Sequence, residues 1–184
     1  MSLTAIFTAI SIVVTAFCAI PIANGSGYFN FSDLFTFVIA ALVNPFLGGA
    51  VGGLSGLIAD LIAGYGSYAP FTLMIKFIMG VISGYLFRLL MKFNKPTKVH
   101  LTWKSLVSFI IGGVIMAVLY MLTDLILYKE FAIINVGFNV LQGTLNSVIG
   151  SIVFVALYAV KDVIIKPASE KVKEEENENG NDQN

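Results

Sequence analysis

Charge, cysteine, histidine and tryptophan are all scarce in this sequence. Only 12% of its 184 residues are Asp, Glu, Lys or Arg, about half the share of a soluble domain. Hydrophobic residues make up 57%, and the mean hydropathy is +0.87. A water-soluble globule and a disordered chain are both excluded, leaving an integral membrane protein. The lone Cys18 rules out an internal disulfide. The lone His100 leaves no Ser/His/Asp set and no HExxH zinc motif. No paired-aspartate prenyltransferase box is present, and without a phosphate-binding loop the chain cannot itself use ATP. No catalytic residue, metal ligand or cofactor site is therefore predicted. Nothing in the charge pattern points to nucleic acid. Residues 1–20 lack the basic start of a cleaved signal peptide, and Cys18 follows the bulky Phe17 rather than a small lipoprotein-box residue. The segment 3–23 is read as a retained helix.

Five apolar stretches are present: Leu3–Ala23, Leu34–Ile62, Phe71–Met91, Leu106–Tyr128 and Ile133–Val160. A spanning helix needs about 20 such residues. The second stretch is interrupted by Asn44-Pro45. Proline removes a backbone donor and disfavours helix in the residue before it. That stretch is one kinked span or two helices with a tight turn.

Charge bias orients the spans. Arg88, Lys92, Lys95, Lys98, His100 and Lys104 surround a polar segment, 92–104, that contains no acid. Lys161, Lys166, Lys171 and Lys173 follow the last stretch. Basic flanks mark the cytoplasmic side. Two helices give six spans with both termini cytoplasmic and connections 24–33, 64–70 and 129–134 outside. One kinked helix gives five, with the N-terminus outside. Residues 1–168 read as one transmembrane domain. Residues 169–184 are polar and acidic, as expected of a disordered cytoplasmic tail.

Small residues recur four apart at Gly48/Gly52/Gly56, Gly49/Gly53, Gly80/Gly84 and Ala5/Ala9. Such faces let membrane helices approach closely. Internal packing accounts for the glycines; Ala5 and Ala9 serve either packing or a partner. Ionisable residues inside apolar stretches are costly and tend to be functional. Asp60, Lys76 and Asp124 qualify. Lys76 snorkels, pairs with Asp60 or meets a solute; Asp124, near its helix end, is expected to reach water. Asp33, at a helix start, reads as an N-cap. In the last stretch Asn135, Asn139, Gln142 and Asn146 fall on one helical face. They read as interhelical hydrogen bonding or as a site for polar groups, with Asn135 and Asn139 at the outer end. Two Gly-rich loops carry tyrosines and polar residues: Asn24 to Asn30, including Tyr28, and Gly64 to Pro70, with Tyr65 and Tyr68. They fit an interfacial aromatic belt or lids over an aromatic ligand.

Several of these residues form a familiar pattern. Phe31-Ser32-Asp33, Ala40 to Pro45, Gly48 to Gly56, Ala59 to Tyr65, Tyr68 to Leu73 and Ile75-Lys76 resemble the substrate-binding S-components of energy-coupling factor (ECF) vitamin transporters. The resemblance spans roughly residues 3–165. It implies an all-α integral membrane protein, a six-transmembrane-helix bundle with cytoplasmic N and C termini, in a bacterial cell membrane. It implies a vitamin site on the outer side, for which Asn30, Asp60, Tyr65, Tyr68, Lys76, Asn135, Asn139 and Gln142 are the candidate residues. Ala5 and Ala9 match the family's small-residue motif in the first helix, which implies docking on a transmembrane coupling subunit, with two ATPase subunits supplying energy. The nearest branch resembles hydroxymethylpyrimidine and pyridoxine S-components. Phe77 stands where that family usually has glycine after the lysine, and the outer loops lack the tryptophan expected of thiamine binders. The alternatives are a membrane enzyme acting on a lipid or isoprenoid, and a ligand-free structural subunit.

Overall fold

The computed structural model describes residues 3–21, 28–93, 97–127 and 132–159. The acidic tail 169–184, the lysines from Lys161 onward and residues 24–27 of the Gly-rich loop 24–30 lie outside the described residues.

Among the described residues six helices follow one another: α1 (Leu3–Phe17), α2 (Asp33–Leu42), α3 (Pro45–Ile62), α4 (Ala69–Met91), α5 (Lys98–Leu127) and α6 (Ala132–Tyr158). The interrupted second stretch is two helices. Asn44 has extended backbone, and its side chain accepts from the Phe46 N–H at 2.9 Å. It thus caps α3, with Pro45 in the first turn, where its missing N–H costs nothing. Two boundaries differ from expectation, and a short strand pair is added. α1 ends at Phe17 rather than Ala23, and the chain then forms strand β1 (Ile20–Pro21), paired antiparallel with β2 (Tyr28–Phe29). A period-of-two signal cannot be read in pairs this short. α5 begins at Lys98, so part of the segment expected as a polar loop is helical.

α3, α4, α5 and the Asn135–Tyr158 part of α6 are long and apolar enough to cross a membrane. α1 and α2, of 15 and 10 residues, are shorter. The packing is that of a protein in lipid. Leu54, Leu61, Met74, Val114, Ile126 and Ile152 are exposed, whereas Ser55, Ser83, Ser108, Asn146 and Ser147 are buried. Phe37 stacks on Phe109 at 4.9 Å, and Phe154 meets Phe87 edge-on at the same distance.

The repeated glycines are packing surfaces. A Cβ on Gly49 would sit 2.7 Å from the Phe77 carbonyl oxygen, and one on Gly53 the same distance from that of Leu73, so this side of α3 presses on the α4 backbone. The Gly48/Gly52 side meets Ala40 and Thr36 of α2. Gly113 of α5 and Gly143 of α6 are in backbone contact. Backbones this close gain dispersion contacts that lipid cannot replace.

Candidate functional site

One end of the bundle gathers the last turns of α3 and α5, the first turns of α4 and α6, and β2. Between them lies a pocket of about 520 Å³, its open mouth included. It is lined by Tyr28, Asn30, Asp60, Tyr65, Tyr68, Thr72, Lys76, Tyr120, Asp124, Asn135, Asn139 and Gln142. All eight candidate residues named from the sequence are in that wall. Tyr28, Thr72 and Tyr120 join them without having been named as site candidates, and so does Asp124, which the sequence marked as an ionisable residue but not as part of the site. Tyr28 belongs to a loop already marked by its tyrosines. Thr72 and Tyr120 carry no sequence signal that separates them from other residues of their helices.

Local backbone geometry aims these side chains. Gly64, at φ +84°, ends α3 in a left-handed residue. The Tyr65 N–H then bonds the Asp60 carbonyl at 2.8 Å, and the Gly64 N–H turns towards that of Leu61 at 3.4 Å. This C-terminal cap folds the chain back over the helix end. It sets Tyr65 beside Tyr28, with ring centroids 5.6 Å apart.

At the inner end, Lys76 meets Asp33 rather than Asp60. The Nζ–Oδ1 distance is 2.7 Å, and both side chains are almost wholly buried. Lys76 also donates to Ser32 Oγ at 3.2 Å and Asn30 Oδ1 at 3.4 Å, which engages all three of its N–H groups. The other Asp33 oxygen accepts from Gln142 Nε2 at 2.6 Å, and Gln142 Oε1 accepts from the Asn30 N–H at 3.0 Å. The expected Asp60–Lys76 pair is therefore corrected. Asp33 is not a cap either: Ser32 holds the cap position without a side-chain bond, and Asp33 is buried within the first turn. Asn146 donates to the carbonyls of Asn30 and Gln142 at 2.9 Å and accepts from the Leu34 N–H at 3.2 Å. Its role is to tie α6 to the start of α2.

Asp124 does not reach water. It is buried and accepts a short hydrogen bond from the Tyr68 hydroxyl and another from Asn135 Nδ2 at 3.1 Å. Tyr120 donates to Thr72 Oγ1 at 3.1 Å. Asp60 Oδ1 accepts from the Tyr28 hydroxyl at 2.5 Å. Burial first, and the Asp60 carboxylate second, hold the Tyr28 phenol far above its usual range, so it stays a neutral donor. Asn139 is half-buried in the wall and has no side-chain hydrogen-bond partner among the described residues. No group of His, Cys, Asp and Glu among the described residues is arranged to hold a metal ion.

The family model for the ECF-type riboflavin transporter S component matches residues 1–162. The chain belongs to this S-component family. An S component is the substrate-binding subunit of a transporter, so membership separates the chain from membrane enzymes and makes it an integral membrane protein. The fold agrees with that of a solved S component of a bacterial ECF transporter, with a TM-score of 0.57 over 89% of this chain and 95% of that one, at 20% identity. A protein of Pyrococcus woesei, described as uncharacterized and encoded in a gap 3′ region, is 34% identical over 139 residues, 75% of this chain and 87% of its own length.

Proposed function

We propose that this chain captures a small aromatic vitamin, of the pyridoxine or hydroxymethylpyrimidine type, and hands it to a transmembrane coupling subunit driven by two ATPase subunits. The observation that carries this is the convergence of Asn30, Asp60, Tyr65, Tyr68, Lys76, Asn135, Asn139 and Gln142 on one pocket. Tyrosine rings offer stacking faces and carboxamides both donate and accept, which suits a ring bearing nitrogens and hydroxyls. The basic residues Arg88, Lys92, Lys98 and His100 lie at the opposite end of α4 and α5. The bias of basic residues towards the cytoplasm supports an outward-facing pocket, a multi-pass arrangement with cytoplasmic termini and residence in a bacterial cell membrane.

Docking falls to α1. Ser11 and Thr15 turn inward, with Ser11 Oγ donating to Ser55 of α3 at 3.0 Å, whereas Ala5 and Ala9 are exposed. Two small exposed residues a turn apart suit close approach of a partner helix. The name of the matching family supports a second ligand, riboflavin, whose larger ring system would fill more of the same pocket.

Asn139 decides whether the pocket holds the ligand. Its carboxamide takes no part in the hydrogen-bonded wall, so Asn139→Ala should weaken binding at least tenfold with little change in thermal stability, the loss of about one buried hydrogen bond to ligand. Gln142→Ala should lower both affinity and stability, because Gln142 also bonds Asp33 and Asn30. Titration of the purified variants with pyridoxine, hydroxymethylpyrimidine and riboflavin measures this. Wild-type affinity in Asn139→Ala for the vitamin that binds best would put the site elsewhere.

A further inference from the structure

The charges around the pocket do not balance. Asp33, Asp60 and Asp124 are all buried there, and the only buried cation among the described lining residues is Lys76. Lys76 is spent on Asp33, Ser32 and Asn30. Asp124 has both oxygens occupied, by neutral donors. Asp60 differs. Its Oδ1 takes the Tyr28 hydroxyl at 2.5 Å. Its Oδ2 is buried and has no hydrogen-bond partner among the described residues. Thr72 stands close by, and its hydroxyl accepts from Tyr120. A buried carboxylate oxygen left bare is costly, and a bound donor, above all a cationic one, removes the cost.

We infer that Asp60 Oδ2 is the recognition point for a positively charged N–H group on the ligand, so that the pocket selects aromatic amines over the matching alcohols and rejects the matching acids. This rests on the reading of the pocket as a capture site and adds to it the charge class of the ligand. A carboxylate or phosphate in the same place would face Asp60 and Asp124 with no free cation among the described lining residues. An ammonium would meet one bare acceptor, with the tyrosine rings beside it as cation–π partners.

The test uses one ring with three substituents. Pyridoxamine carries an aminomethyl group where pyridoxine carries a hydroxymethyl group and 4-pyridoxic acid a carboxylate. The full chain, purified in detergent, is titrated with each, and with riboflavin as a neutral vitamin of another shape. The expected result is pyridoxamine at least tenfold tighter than pyridoxine, and no measurable binding of the acid. In Asp60→Asn the amine and the alcohol should bind within about twofold of each other. Tyr28→Phe, which leaves the carboxylate in place, should keep the preference for the amine and serves as a second variant should Asp60→Asn unfold. Equal binding of amine and alcohol by the unaltered chain, or binding of riboflavin alone, overturns the inference while the capture reading stands. Failure of all four compounds to bind overturns both. Retention of the amine preference in folded Asp60→Asn overturns the inference alone.

Discussion

Lys76 and Asp33 are 43 residues apart in sequence and 2.7 Å apart in space. That separation explains why the sequence showed the lysine but not its partner. Asp60 is the nearer acid inside an apolar stretch, whereas Asp33 has the position of an ordinary helix start. Only the meeting of α2, α4 and α6 reveals the pair. Asp124 was misjudged for a similar reason: a residue one turn from a helix end normally finds water, but here Tyr68 and Asn135 cover it. Types and approximate positions were thus legible, and partners across helices were not. Breaking a buried pair leaves an uncompensated charge and costs about 3–5 kcal/mol. Lys76→Met and Asp33→Asn should each lower thermal stability by that order, and the double variant should lose clearly less than the sum. Lys76→Met combined with Asp60→Asn should be close to additive. Thermal unfolding in detergent separates the two cycles, and coupling in the second instead of the first would restore the Asp60 pairing. Tyr28 gives a prediction in pH. A free phenol titrates near pH 10, and the folded value lies above that. The stabilisation from the buried neutral phenol is therefore whole below about pH 10 and declines as pH rises beyond it, because the unfolded chain then gives up a proton that the native state retains. Unfolding measured at pH 8 and pH 11 should show a smaller drop in Tyr28→Phe than in the unaltered chain.

Helices were the most legible feature, because runs of about 20 apolar residues and the Asn44-Pro45 break have direct physical meaning. The short ends of α1 and the β1–β2 pair were not, since four paired residues carry no usable periodicity. The glycine repeats announced close packing without saying against what. The structure assigns one α3 face to α2 and the next to α4. A Cβ on Gly80 would lie 2.7 Å from the Gly49 backbone, where no side chain can move aside, whereas one on Gly137 meets nothing within 4 Å. Alanine favours an α-helix over glycine by about 1 kcal/mol. Gly137→Ala should therefore leave the melting temperature unchanged or raise it slightly, and Gly80→Ala should lower it despite the same helical gain. A rise for both would mean that α3 and α4 are not in backbone contact.

At the scale of the whole molecule, the chain is a bundle whose polar groups turn inward at one end and whose small residues stand exposed on α1. The first feature supports capture and the second docking, and the two are separable. The most direct measurement follows binding and uptake in the same preparations. The chain is reconstituted in liposomes containing ATP, alone and with its coupling and ATPase subunits, and compared with a variant carrying Ala5→Leu and Ala9→Leu. The account predicts saturable vitamin binding in all three, concentrative ATP-dependent uptake only with the subunits, and loss of uptake with retained binding in the double leucine variant. Concentrative uptake by the chain alone, or no vitamin binding to it in any preparation, would contradict the account.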